Sequence, residues 1–447
     1  MCATTQNKLG GFGVKRSRLI GVAGALVAIG GGLAGCGIAQ SGSETNTSTA
    51  STGNASVAPI TITFWNAYSE TDSEEKTIVN KIIPEFEKTH PGITVQNVTL
   101  PYSNMQQKLL TSAAGNQLPD VARLDIIWMP QLAKLGVLVP QQKLSGWTAL
   151  SKKVFPGSLS TNYYNGQYYG LPLDTNTKVL FSNPAVLKAH GIQKPPATMA
   201  QFIADIKKVS GGTGKNRVYG YDIGGDSLWN LVPWIDSYGG SVLSPNMKTA
   251  TGYLNGPKTY QAINTLVSLY KAGDITGVLP GATGDMDGLA KGEYAFIDEG
   301  PWDVPSMAQT YPKVKYNMSL WPAGPAGSVQ VVGGEDIGIF NTDPAHEKAA
   351  WEFEQFMLST EAQTQMQAVG QMSVLKTLPQ SNLLKGLDYF NIFRKQLATA
   401  KARPSVPQFT QIEQDIETEV TKAIQGKETV KQALDNATKE TNELLAE

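Results

Sequence analysis

The stretch from Ile60 to Val98 restricts the fold more than any other part of the chain. Ile60-Thr-Ile-Thr-Phe-Trp65 alternates and is rich in β-branched and aromatic side chains, which predicts a strand. Ile78, Val79, Ile82, Ile83 and Phe86 then recur at helical spacing. Thr71 and Glu74 are spaced as a capping box ahead of them, and Pro84 predicts a kink. Pro91-Gly92 turns the chain into a second strand, Ile93-Thr-Val-Gln-Asn-Val98. A strand, a crossing helix and a strand make a β-α-β unit, which builds a parallel sheet.

The alternation continues to the C-terminus. Helices are predicted over Met105–Ala114, Pro130–Leu135, Pro184–His190, Tyr260–Ala272, Glu347–Leu358, Thr360–Ala368, Gln411–Gln425 and Thr429–Leu445. Strands are predicted over Val121–Ile127, Lys178–Phe181, Gly292–Ile297 and Asp336–Phe340. The fold class is therefore α/β. A chain of 447 residues exceeds what one hydrophobic core supports, so two domains are expected. With 37 Lys+Arg against 38 Asp+Glu, no basic excess points to nucleic acid. The body has no apolar run long enough for a polytopic membrane protein.

The first 36 residues read as an address. Lys8, Lys15, Arg16 and Arg18 precede Leu19–Leu33, fifteen apolar or glycine residues that are too few to span comfortably. The run closes on Leu33-Ala34-Gly35-Cys36, which resembles the bacterial lipoprotein signal. Cys36 is accordingly expected to be lipidated on its sulfur, a soft nucleophile, and to become the N-terminus after cleavage. Cleavage removes Cys2, the other cysteine, and leaves no disulfide, cysteine zinc site or cysteine nucleophile in the body. Gly37–Ala58 is Ser, Thr, Gly, Asn and Ala almost throughout and is expected to be a flexible tether. The folded body is expected to start near Pro59, outside the membrane.

Several stretches in order resemble the extracellular solute-binding proteins of sugar ABC importers, the maltose-binding type. They are Ile62-Thr-Phe-Trp-Asn66, Leu118-Pro-Asp-Val121 with Asp125, and Tyr164-Asn-Gly-Gln-Tyr-Tyr-Gly-Leu-Pro172. Gly292-Glu-Tyr-Ala-Phe296, Gly300-Pro-Trp302, Gly333-Gly-Glu-Asp336, Ala349-Ala-Trp-Glu-Phe353, Arg403-Pro404 and Gly426 through Ala433-Leu434 complete the set. The resemblance implies a two-lobed periplasmic-binding-protein-like (type II) fold with ligand in the cleft. It implies a first lobe of 59–174 plus 326–376 and a second of 177–321 plus 377–447. Hinges would lie near Asp174–Thr177, Pro322–Gly327 and Ser373–Thr377. It also implies a monomer that delivers a neutral sugar or oligosaccharide to ABC permease subunits, with no cofactor, no metal and no catalysis.

A sugar offers an apolar C–H face and a rim of hydroxyls, so its site needs flat aromatic platforms and orienting polar groups. Trp302, after a Gly-Pro turn, matches the family's stacking Trp, and Trp229 falls near another ligand aromatic. Trp65 ends the first strand, where α/β sheets present ligand contacts. Trp234 is divided between cleft and core, Trp128 and Trp321 are even, and Trp351 is expected in the core. Asp125 ends its strand, and a carboxylate there accepts from hydroxyls. Asp174 and Asn176 lie at the first crossover. Glu335 and Asp336 follow Gly333-Gly334, whose missing side chains would let a ligand approach the backbone. The malto-oligosaccharide binders carry an aromatic where this chain has Glu413, which weighs against maltose itself.

Two alternatives remain open. An exported glycoside hydrolase would need two carboxyls ~5–10 Å apart across the bond, and no hydrolase motif is present. The three histidines, His90, His190 and His346, sit within two residues of Pro or Gly at expected helix ends or loops and offer no triad or metal motif. Gly211-Gly-Thr-Gly-Lys215 lacks the P-loop spacing. A non-sugar cargo is the other alternative. Only Arg123, Arg217, Arg394 and Arg403 lie in the body, which disfavours an anion.

Overall fold

The computed structural model describes residues 59–68 and 73–447. Cys36, the tether and Thr71 of the expected capping box lie outside the described residues. In chain order the strands that matter are β1 (Ile60–Asn66), β2 (Ile93–Thr99), β3 (Val121–Asp125), β4 (Leu171–Pro172), β5 (Val179–Ser182) and β6 (Tyr219–Asp222). They continue as β7 (Ile275–Thr276), β8 (Tyr294–Glu299), β9 (Asn317–Ser319), β10 (Val331–Val332), β11 (Glu335–Ile339) and β12 (Lys401–Ala402). Two five-stranded sheets result, in the orders β2-β1-β3-β11-β4 and β9-β5-β8-β6-β7. β1, β2 and β3 are parallel, as the β-α-β pattern demands, whereas β11 is antiparallel to both β3 and β4.

The helices that cover the sheets bury the faces their spacing predicts. Met105 and Leu109 of Tyr102–Ala114 are fully buried, and so are Phe409, Ile412 and Ala423 of Phe409–Ile424. Burying a side chain of this size contributes ~1.5–3 kcal/mol. Pro84 sits in the first turn of the helix Ile83–Thr89, directly after a π-helical turn at Ile78–Ile82, where a missing N–H costs least. The second sheet packs on an aromatic cluster of Phe202, Tyr221, Trp234 and Trp321. Trp234, Trp321, Trp128 and Trp351 are all buried in the core.

The chain leaves the first sheet after β4 and returns to it at β11. The outgoing and returning passages are hydrogen-bonded side by side, with Asn176 N–H donating to Gly333 O at 3.0 Å and Gly333 N–H to Asn176 O at 2.9 Å. A third passage joins them where Thr175 N–H donates to Met372 O at 3.1 Å. Pro322–Gly327 lies earlier, a turn tied to Ala197 and Ser237 by the Ala323 and Ala326 N–H groups at 2.9 and 3.0 Å.

Candidate functional site

A cavity of about 780 Å³ lies where the carboxyl ends of β1 and β3, the start of β11 and the crossover at Asn176 meet the helices Leu228–Tyr238 and Phe409–Ile424. Of the residues that the sequence singles out, Asp125, Asn176, Trp229, Trp302 and Glu335 line it. Strand alternation explains much of this. Arg123 and Asp125 share one face of β3, and Glu335 stands directly opposite Asp125 in register. Asp336, one residue on, points the other way. It is fully buried and accepts from Thr161 Oγ1 at 2.9 Å and Asn162 Nδ2 at 2.7 Å.

Asp174 lies behind the wall rather than in it. Arg123 Nη2 sits 2.7 Å from Glu335 and 3.6 Å from Asp174, and its guanidinium covers the Tyr68 ring at 4.2 Å. Burial pushes Glu335 well above the usual carboxylate range, and the Arg123 charge works against that rise. Asp174 is raised for the same first reason, again with Arg123 opposing. Trp65 does not line the cavity. Its ring packs against the cluster containing Met105, Leu109 and Ala122, with Lys108 Nζ 5.9 Å from its centroid.

Sequence reasoning passed over Arg123 and Arg403 as site residues, and both line the cavity. Arg403 Nη2 lies 3.4 Å from Asp125, which also accepts from Tyr102 Oη at 2.6 Å and from the Ile127 N–H at 2.9 Å. Each arginine in the wall therefore already faces a carboxylate. Trp229 stands between two cations, with Lys178 Nζ at 5.4 Å and Arg403 at 5.2 Å from its ring. Lys178 is itself buried in an ion pair with Asp298 at 2.8 Å and donates to Asn230 at 2.7 Å.

Glycines shape two walls. A Cβ on Gly300 would stand 2.1 Å from the Trp302 ring, so that ring lies folded over the Gly300 backbone. A Cβ on Gly333 would meet Asn176 Oδ1 at 2.2 Å and the Trp229 ring at 2.6 Å. The room left by Gly333 is thus taken up by those two side chains, and Asn176 Oδ1 has no hydrogen-bond partner.

Glu413 has a local task. It accepts from the Leu228 N–H at 3.1 Å, at the start of the helix that carries Trp229. Glu417, one turn on, is pushed up to about 7 by burial, then by Glu413 and Asp226. A carboxyl raised in the folded state binds its proton where the unfolded chain has lost it. Stability contributed by that proton is full below the unfolded value of 4.5 and is lost as pH rises through about 7. Glu417→Gln should therefore leave urea unfolding unchanged at acid pH. At about pH 8.5 it should stabilise the free protein by under ~1 kcal/mol, because solvent screens a half-exposed group. A midpoint equally altered at both pH values would contradict this.

Two lobes built on separate sheets, joined by hydrogen-bonded crossings with a polar-and-aromatic cavity between them, define a cleft-type binding protein. The match to known families agrees with the geometry. The chain belongs to the bacterial extracellular solute-binding proteins, whose family model covers residues 81–386. A binding protein of Brucella abortus (strain 2308) is 26% identical over 61% of this chain and 66% of its own length, so the chain spans just under two thirds of that relative. The diacetylchitobiose binding protein DasA of Streptomyces coelicolor is 22% identical over 91% of this chain and 93% of its own. The GacH receptor of Streptomyces glaucescens GLA.O, solved unliganded and with acarbose, superposes with a TM-score of 0.77 at 21% identity, covering 88% of this chain and 99% of that one. That likeness bears on the fold. Among the described residues no helix is long and apolar enough to cross a membrane.

Proposed function

We propose that this protein captures a sugar or oligosaccharide in the interlobe cavity and presents it to the permease of an ABC importer, without catalysis. The observation that carries the reading is the pairing of half-buried Trp302 and Trp229 with Asp125, Glu335 and Asn176 around one cavity of about 780 Å³. Flat rings take the apolar face of a pyranose, and the carboxylates and amide take its hydroxyls. The sugar ligands named for DasA and the GacH receptor support it. A neutral glycan fits the cavity's paired arginines better than an anion does. The lobes are 59–174 plus 326–376 and 177–321 plus 377–447, and they flex at Asp174–Thr177, Pro322–Gly327 and Ser373–Thr377. The protein works as a monomer. The test is a thermal-shift panel of neutral glycans, followed by small-angle scattering with the best of them. A ligand that bridges both lobes should raise the melting point and shrink the radius of gyration. No shift across the panel would reject the sugar reading.

The anchor is part of the same proposal. Cys36 carries the lipid and holds the protein to the outer face of the membrane, because two or more acyl chains anchor stably. Cys36→Ser should move the protein from the detergent phase to the aqueous phase in phase partitioning. Full retention in the detergent phase would refute the lipid anchor.

A further inference from the structure

Asp222 ends β6 and Asp285 opens the helix Asp285–Lys291. They meet at a second cavity of about 300 Å³, walled by the Gly224-Gly225-Asp226 turn and by residues 277–285. Asp222 is 1% exposed, and neither of its carboxylate oxygens has a hydrogen bond of good geometry. Asp285 is the charged group that acts on it most strongly, ahead of Asp298, and Asp285 acts on the buried Glu299 in the same sense. Lys291, on the Asp285 helix, pairs with Asp287 instead.

The backbone around the two acids is cleared. A Cβ on Gly277 would stand 1.7 Å from Asp222 Oδ1, and one on Gly224 would stand 2.6 Å from Asp285 Oδ2. Two carboxylates line one small cavity where the backbone at Gly224 and Gly277 has no room for a Cβ, and among the described residues neither is in an ion pair.

We propose that Asp222 and Asp285 are the carboxylate ligands of a hard divalent cation of the calcium class. Such ions take six to eight oxygens, so main-chain oxygens of the 277–284 turn and water complete the sphere. The site has a use for the cleft. Asp226, in its wall, accepts from Thr421 Oγ1 of the helix that carries Glu413 and Glu417, and it leads directly into Ser227 and Trp229 of the first cavity. A cation here would fix the turn from which Trp229 is presented.

The test is thermal unfolding of the full chain in detergent at mildly alkaline pH, where carboxylates are free to bind a cation. Calcium or magnesium chloride is compared with sodium chloride of equal ionic strength and with chelator. Millimolar divalent cation should raise the melting point of the wild type by roughly 3 °C or more. Asp222→Asn and Asp285→Asn should each lose that gain and, in chelator, melt no lower than the wild type, because one of two repelling charges is gone. Should Asp222→Asn fail to fold, Asp285→Asn decides. No gain in the wild type with either cation, an equal gain with sodium, or a gain retained in the asparagine variants would overturn the proposal. The readout uses no sugar, so its failure leaves the sugar reading untouched.

Discussion

Arg123→Ala should destabilise the protein by ~3–5 kcal/mol, because it strands Glu335 and Asp174 as buried carboxylates without their cation. Urea unfolding at neutral pH measures it. The loss should shrink at acid pH, where both carboxyls, raised first by burial, take up protons. Arg123→Ala combined with Glu335→Gln should recover part of the loss at neutral pH. A single variant as stable as the wild type at neutral pH would mean that the three groups do not depend on one another.

Trp302→Ala should weaken sugar binding by ~1–3 kcal/mol, roughly fivefold to 150-fold in Kd, with little effect on folding. Its ring is half-buried and lies over Gly300 at the cavity wall, so its removal leaves a wider cleft rather than a hole in a core. A core tryptophan would behave in the opposite way, with ~3–5 kcal/mol lost from stability and affinity intact. Calorimetry and urea unfolding on the same sample distinguish the two. Loss of stability with unchanged affinity would remove Trp302 from the site and weaken the assignment of Trp229.

Strongly periodic segments were legible in the sequence. β1, β2, β5 and the helices Pro257–Lys271, Phe409–Ile424 and Val430–Leu445 stand within a few residues of their expected bounds. The helix Leu228–Tyr238 was not legible, because Pro233 sits inside it and reads as a helix breaker. The choice between Glu335 and Asp336 depends on the register of β11 against β3, a partner two hundred residues away in the chain. Arg123 was hidden for a related reason. Every residue of β3 is buried, so no alternation marks which side chains face the cleft. Glu413 stands apart from any motif, and only the folded chain brings it to the Leu228 N–H.

The position of β11 has a consequence for how the protein is made. It fills the place between β3 and β4, yet it follows the whole second sheet in the chain. Until residue 339 has emerged from the ribosome, the first sheet carries an open slot with unpaired edges on both sides. Non-local pairing of this kind is slow to form. The same ordering means that no N-terminal fragment ending before Glu335 contains a complete first sheet, whatever its length.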